Sequence, residues 1–407
     1  MTDPILLLLA LGALSLVITV VSHVAVLVSR RRRPSSGPLP AISVLKPVKG
    51  AEPGLYENLC AIARQDYPEF EILIGAEDPD DPALAIARHV KRDLPEVAIR
   101  VVSGAATIGH NPKVCNLSML SQRARHDWVL VSDSNVRPDA GYLRAMAAEL
   151  SDPKVGLVSS VLVGKGGQGL ASRFDALLLD TLAVRATCGA DLSFSHPCVI
   201  GKSMLFRLSE LRRLGGFRAV SDVLAEDYVL GRMFQRAGHR VALSSHGVPT
   251  TSHLRSVFAF CQRHLRWAQM RRHLAPVYWG EPLLSSSNWF GAALVLSALA
   301  PDALVASCVL GLAARLVSDA LLQRTLTGRW LGPEDVPCLL VKDALLLGVW
   351  TIAIFRRRVS WRGNEMEIGP GSRLYPSRRL ARAFSGSART RSRERSKLEK
   401  PRRLRAC

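Results

Sequence analysis

The residues from Ile5 to Val28 are almost all apolar, and four arginines, Arg30 to Arg33, follow directly. A helix needs about 20 such residues to cross the hydrocarbon layer, and only helices or closed barrels satisfy their backbone hydrogen bonds there. A secretory leader has the opposite order, with a basic region ahead of a shorter apolar run. Here Asp3 precedes the run and the arginines follow it. Residues 1–33 are therefore expected to be an uncleaved transmembrane anchor. Lys and Arg concentrate on cytoplasmic flanks, which predicts an N-terminus outside and a cytoplasmic chain after Arg33.

The formal charge is +20 over 407 residues, of which 48% are hydrophobic. Much of the excess sits in Arg30–Arg33 and in the Arg- and Ser-rich segment after Arg356. Basic clusters beside apolar spans mark a membrane surface. A nucleic-acid reader would also carry aromatic platforms or a reader motif, and the basic tail has neither, so no nucleic-acid partner is expected. The eight cysteines form no CxxC pair, so neither a zinc site nor a disulfide framework is predicted.

Pro34 to Pro40 is a linker rich in Pro, Ser and Gly. Beyond it, strands and helices alternate. Strands are expected at Ile42–Leu45, Phe70–Gly75, Ala98–Val102 and Trp128–Val131, with helices at Leu55–Arg64, Pro82–Lys91 and Pro112–Arg123. Such alternation predicts an α/β domain with a mainly parallel sheet and helices on both faces, here over residues 34–282. In such sheets the ligand lies beyond the carboxyl ends of the strands. Two acidic groups fall there, Glu77-Asp78 and Asp133-Ser134-Asn135. Residues 283–358 read as membrane segments. Val336–Phe355 has the length of a span, and Trp289–Leu321, broken at Pro301-Asp302, reads as one tilted span or two short ones. The basic C-terminus requires an even number of crossings after the catalytic region. Residues 359–407 read as a basic disordered tail, and removing the residues after Gly371 is expected to leave turnover nearly unchanged.

Each acidic group has an ordinary explanation. Asp-Pro turns are common, and an Asp at a strand end often caps a helix. Glu226-Asp227-Tyr228 and Arg263-His-Leu-Arg266-Trp267 complete a more specific set. Carboxylates at strand ends can hold the base and ribose of a nucleotide-sugar, and one beside the diphosphate can hold a divalent metal. An acceptor hydroxyl is a poor nucleophile until a carboxylate takes its proton. A departing diphosphate needs cations such as Arg.

Ile42-Ser-Val-Leu-Lys-Pro-Val-Lys-Gly50, Asp66-Tyr-Pro68, Asp78-Pro-Asp-Asp-Pro82, Asn111-Pro-Lys-Val-Cys-Asn-Leu117, Val155-Gly-Leu-Val158, Ala225-Glu-Asp-Tyr228, Arg263–Trp267 and Ser360-Trp-Arg362 occur in this order. In this the chain resembles the ceramide glucosyltransferase family (glycosyltransferase family 21) and bacterial relatives that glycosylate hopanoid lipids. The resemblance implies a GT-A type fold, a UDP-sugar donor, a membrane-lipid acceptor and inversion at the anomeric carbon. It implies Asp227 as the base, and Asp78, Lys113, Asn116 and Asp133 on the donor side. Arg263, Arg266 and Trp267 close the site over diphosphate and acceptor, and a divalent metal, Mg2+ or Mn2+, sits at Asp133 and Asn135. One departure concerns that metal: related enzymes often carry Asp-x-Asp where this chain has Asp133-x-Asn135, replacing a charged ligand by a neutral one. The sugar, glucose or N-acetylglucosamine, stays open, as does the lipid, ceramide or a hopanoid. A processive polysaccharide synthase shares the acidic and Arg/Trp pattern but needs more spans for a channel. A non-enzymatic basic membrane scaffold leaves the acidic groups without a role. The implied location is the inner (plasma) membrane, multi-pass, with the catalytic domain cytoplasmic.

Overall fold

In the computed structural model, residues 2–32, 37–104, 107–194, 199–274, 276–297, 301–361 and 364–376 are described. The chain begins with α1 (Thr2–Arg31), followed by β1 (Ile42–Pro47), α2 (Leu55–Ala63), β2 (Phe70–Ala76), α3 (Pro82–Asp93), β3 (Ile99–Ser103), α4 (Pro112–Ser121), β4 (Trp128–Ser132) and α5 (Tyr142–Ala148). Next come β5 (Val155–Lys165), α6 (Leu170–Leu178), α7 (Val184–Phe194), β6 (Ser203–Arg207), α8 (Leu208–Arg213), α9 (Glu226–Arg236), β7 (Arg240–Thr251) and α10 (Val257–Leu274). The C-terminal part holds α11 (Ser286–Leu296), α12 (Asp302–Thr327), α13 (Asp335–Phe355), β8 (Arg358–Trp361), β9 (Asn364–Gly369) and β10 (Arg373–Pro376).

The seven-stranded sheet has the order β3-β2-β1-β4-β6-β5-β7, and β6 alone runs antiparallel to its neighbours. The mainly parallel α/β sheet expected from the alternation is present, and the early elements begin and end within two residues of their predicted limits. Every residue of β1 is buried, as a strand covered by helices on both faces requires. Local chemistry fixes the helix starts nearest the site. Asn111 caps α4, its Oδ1 accepting from Lys113 N at 3.0 Å and Val114 N at 3.2 Å, with Pro112 at the first helical position. Asp81 caps α3 in the same manner. The chain leaves β1 toward β2 on one side and returns to β4 on the other. The strand order therefore reverses between β1 and β4, where a ligand crevice forms.

Among the described residues three helices, α1, α12 and α13, are long and apolar enough to cross a membrane. The apolar stretch that the sequence left as one span or two is an antiparallel hairpin of α11 and α12 packed on α1. Ser15 Oγ donates to Leu283 O at 2.6 Å, while Ile5 shares a buried cluster with Ala293 and Cys308. Further along, Arg315 reaches Thr19 and His23 reaches Ser318. Thus α1 and α12 run side by side in the same direction, with α11 opposed. The last turns of α1 pack on the sheet, Ala25 and Val26 against Val161 and Leu243.

Strands β8, β9 and β10, which apart from Arg358 fall in the 359–407 segment read as tail, form a three-stranded antiparallel sheet, β10-β9-β8. The composition was misleading because only alternate residues face inward: Val359, Met366, Ile368 and Leu374 bury a small apolar face with Leu224. The backbone completes the docking. Leu224 N donates to Ser372 O at 2.9 Å, and Leu374 N to Asp222 O at 2.7 Å. Ala225 N donates to Ser372 Oγ at 3.1 Å. Ser372 is held at φ 59° to do this, a conformation that persists only where surrounding contacts enforce it. Arg362 and residues 377–407 lie outside the described residues. The expectation that removal after Gly371 is harmless is therefore reversed. A chain ending at Gly371 loses β10 and is expected to be destabilised by roughly 1–3 kcal/mol and to lose turnover. Thermal unfolding and activity, compared with a chain ending at Pro376, check this.

Candidate active site

The strand ends open into one cavity of about 1420 Å³, and every site residue named from the sequence lines it. Asp133 follows β4, Asp78 follows β2, Lys113 and Asn116 lie on α4, Asp227 begins α9, and Arg263, Arg266 and Trp267 lie on α10.

At the centre is an ammonium group. Lys113 Nζ lies 3.0 Å from Asp133 Oδ1 and 3.0 Å from Glu226 Oε1, and donates to Gly201 O at 2.8 Å. Burial alone would lower its pKa, but the carboxylates of Asp133, Glu226 and Asp227 outweigh burial and raise it above the usual lysine value. Asp227 sits beside this group. Its Oδ2 accepts from Gly201 N at 2.7 Å and its Oδ1 from Tyr228 N at 2.8 Å. Burial, then the neighbouring Glu226, push the Asp227 carboxyl up to about 6, with Lys113 opposing. A carboxylate tuned toward neutrality, open to a cavity, suits proton abstraction from a hydroxyl.

Gly201 touches both groups, and a Cβ there would lie 2.8 Å from Asp227 Oδ2 and 3.0 Å from Lys113 Nζ. Gly201→Ala is expected to pry them apart and lower kcat about 100-fold, as displacements near 1 Å can do, without a comparable loss of thermal stability. Steady-state kinetics beside a melting curve check it.

Arg263 and His264 are held by one carboxylate on α6. Asp175 Oδ2 accepts from Arg263 Nη1 at 2.8 Å, and Asp175 Oδ1 lies 2.9 Å from His264 Nε2. Arg263 also stands over the Trp267 ring, its Cζ 5.9 Å from the centroid. Asn116 does less toward the cavity than its position suggested: its Nδ2 donates to Gly75 O at 2.8 Å and braces the end of β2. Asp78 is exposed, its Oδ1 accepting from Asp80 N at 2.9 Å.

Sequence reasoning named Glu226 and Lys46 without giving them a role, and missed Gly201, Lys202 and Asp175. Buried Lys46 donates to Asp133 O at 2.6 Å and Ser132 Oγ at 3.0 Å, which fixes the turn carrying Asp133, and burial brings its pKa down to about 7. Its signal was its place at a strand's carboxyl end. Lys202 lines the cavity, with its pKa lowered to about 8 first by burial and then by Arg263. Asp175 gave no signal, because nothing local marks an acid facing a helix nearly 90 residues on.

Among the described residues no three His, Cys, Asp or Glu side chains converge on a metal position. Asn135 donates its amide to Thr251 O at 3.2 Å. The oxygen donors present suit Mg2+ or Mn2+ sharing its coordination with a donor diphosphate, since such ions are often held by one or two carboxylates plus substrate phosphates. Asp133 would supply the carboxylate, with Asn135 beside it on the cavity wall.

The chain matches Glycosyl transferase family 21 over residues 6–374. It belongs to that family. Ceramide glucosyltransferase 3 of Caenorhabditis elegans is 30% identical over 248 residues, which cover 60% of this chain and 54% of that protein. A ceramide glucosyltransferase of Gibberella zeae is 25% identical over 350 residues, covering 65% of this chain and 66% of that protein. This family 21 chain thus spans about half the length of the first of these relatives and about two thirds of the second. Among solved structures, a mannosyltransferase from Pyrobaculum calidifontis in complex with GDP-Man and Mn2+ aligns at 20% identity and a TM-score of 0.49, over 85% of this chain and 99% of that one.

Proposed function

We propose that this family 21 protein transfers a hexose from a UDP-sugar to a hydroxyl of a membrane lipid, with inversion, and with Asp227 as the base. The observation that carries the reading is the continuity of one cavity. It runs from Asp133, Lys113 and Asp227 at the strand ends to apolar walls formed by Val17, Ile18 and Val21 of α1 and by Leu346 and Leu347 of α13. A polar donor and an apolar acceptor can meet there.

In this reading Asp227 takes the proton of the acceptor hydroxyl as its oxygen bonds to the anomeric carbon, and the bond from that carbon to the diphosphate breaks on the opposite face. Ionised Asp227 is a competent base above about pH 6. Arg263, oriented by Asp175, and the cavity-lining Lys202 stabilise the departing diphosphate as cations do. When bound at Asp133 and Asn135, a divalent metal neutralises charge on the leaving diphosphate. The backbone N–H of Gly201 and the ammonium of Lys113 keep the Asp227 carboxylate oriented. Arg266 and Trp267 close the site beside the acceptor. Arg30–Arg33 favour the cytoplasmic face of the inner membrane for the catalytic domain.

The test is incubation of membranes carrying the protein with isotope-labelled UDP-glucose and UDP-N-acetylglucosamine, supplied with ceramide or a hopanoid polyol, followed by mass spectrometry of the lipids. One labelled hexose added per lipid is the expected product. Label recovered only as free sugar or as a long polymer defeats the proposal.

A further inference from the structure

We infer that α13 does not cross the bilayer but lies in the plane of the leaflet that faces the catalytic domain, leaving α1 as the crossing helix and the α11–α12 hairpin as a segment that enters the bilayer and returns to the same face. Length and apolarity alone make α13 a span, but its contacts contradict that. At its first turn, Asp335 and the preceding Glu334 pair with Arg173 of α6 at 3.6 and 3.1 Å. At its last turn, Arg272 Nη1 of α10 donates to Ala353 O at 3.3 Å, and Gln269 Nε2 donates to Arg356 O at 2.7 Å. Both ends of a helix about 31 Å long thus rest on the body that contains the sheet. In between, α13 packs along α10, with Val349 and Ala353 against Leu265 and Ala268. A crossing α13 would draw α10, with Arg263, Arg266, Arg271 and Arg272, through hydrocarbon, where charged side chains are costly.

The two faces of α13 fit the in-plane placement. Lys342 and Asp343 are buried and point into the protein, where Asp343 accepts from Ser285 Oγ at 2.5 Å and lies 3.9 Å from Arg315 Nη2. Leu340, Val341, Ala344, Gly348, Ile352 and Phe355 recur at helical spacing on the exposed face, with Phe355 81% exposed. That stripe carries no charge, which is the inverse of a helix facing water. Leaflet lipid is the occupant the surroundings select, because the exposed apolar flanks of α1 and α12 belong to the same molecule. With 11 residues, about 16 Å, α11 is too short to cross, so the α11–α12 hairpin leaves the body and returns to it, and the chain after the catalytic region stays on one face, as the basic C-terminus requires.

The experiment uses the full chain with its native cysteines replaced, in a background that retains turnover. Single cysteines at Pro333→Cys and Arg357→Cys bracket α13, and Gln122→Cys marks the catalytic domain. In sealed vesicles of known orientation, a membrane-impermeant maleimide is expected to label all three from the same face. Labelling of Pro333→Cys and Arg357→Cys from opposite faces overturns the inference. A second measurement places a bimane at Val341→Cys, Gly348→Cys or Phe355→Cys in vesicles of lipids brominated at fixed depths. Equal depths at the three sites are expected. A steady change in depth along the roughly 21 Å between the outer two overturns the inference, and so does the absence of quenching.

Discussion

Asp227→Asn is expected to lower kcat by about 10²–10⁴-fold, the range a positioned general base supplies, with donor affinity nearly unchanged. Asn preserves the shape of the carboxylate, but it keeps one acceptor oxygen where the carboxylate accepts from both Gly201 N and Tyr228 N, and it cannot take a proton. Donor binding should survive because Lys113 keeps its contacts with Asp133 and Glu226. The variant should also fold well. The folded pKa of Asp227 is raised to about 6, so its carboxyl favours the folded state when protonated. That contribution is full below the ordinary carboxylate range and is lost as pH rises through about 6. At pH 7.5 a neutral Asn removes an unfavourable charge, which offsets the loss of one of the two N–H acceptors, and the unfolding midpoint should change little. Turnover, donor binding by calorimetry and thermal unfolding together check the assignment. Normal turnover in this variant sinks Asp227 as the base.

Lys113→Met is expected to act through the same carboxylate and to show it in the pH profile. Burial and Glu226 push the Asp227 pKa up while Lys113 opposes them, so removing the ammonium lifts that pKa further above 6. The acid limb of kcat/KM, which reports the free enzyme, should move toward alkaline pH by about one unit. The loss should be larger at pH 6.5 than at pH 8.5. Asp133 also loses its partner at 3.0 Å, so the donor KM should rise. Lys113→Arg restores the charge and should return the limb toward its original position. A limb that stays in place in Lys113→Met, with only overall activity reduced, shows that Lys113 serves the donor and does not tune the base.

The balance of charge around Lys113 links the two halves of the site. One ammonium joins the acid after β4 to the acids that begin α9. The β8–β10 sheet sits behind the second of these, bonded to Leu224 and Ala225 just before Glu226. A segment that follows the membrane helices thereby helps to hold in place the turn that carries Glu226 and Asp227.

The sequence by itself determined what depends on local spacing. Period and turn chemistry marked β1 through β4 and their helices, and the acids after β2 and β4 fell at strand ends because connections in a parallel sheet put them there. The Asn111 cap, and with it the placement of Lys113, follows from Asn-Pro ahead of an apolar run. Only the tertiary structure decided what depends on distant partners. Lys113, Asp133, Gly201 and Glu226 meet across more than 100 residues, and no local pattern encodes such a meeting. The β8–β10 sheet escaped composition because a few buried side chains, rather than average hydrophobicity, hold it. Apolarity marked α13 as a membrane helix but left its direction open. Its direction comes from α6 and α10 holding both of its ends, and a hydropathy run carries no information about which neighbours a helix will have.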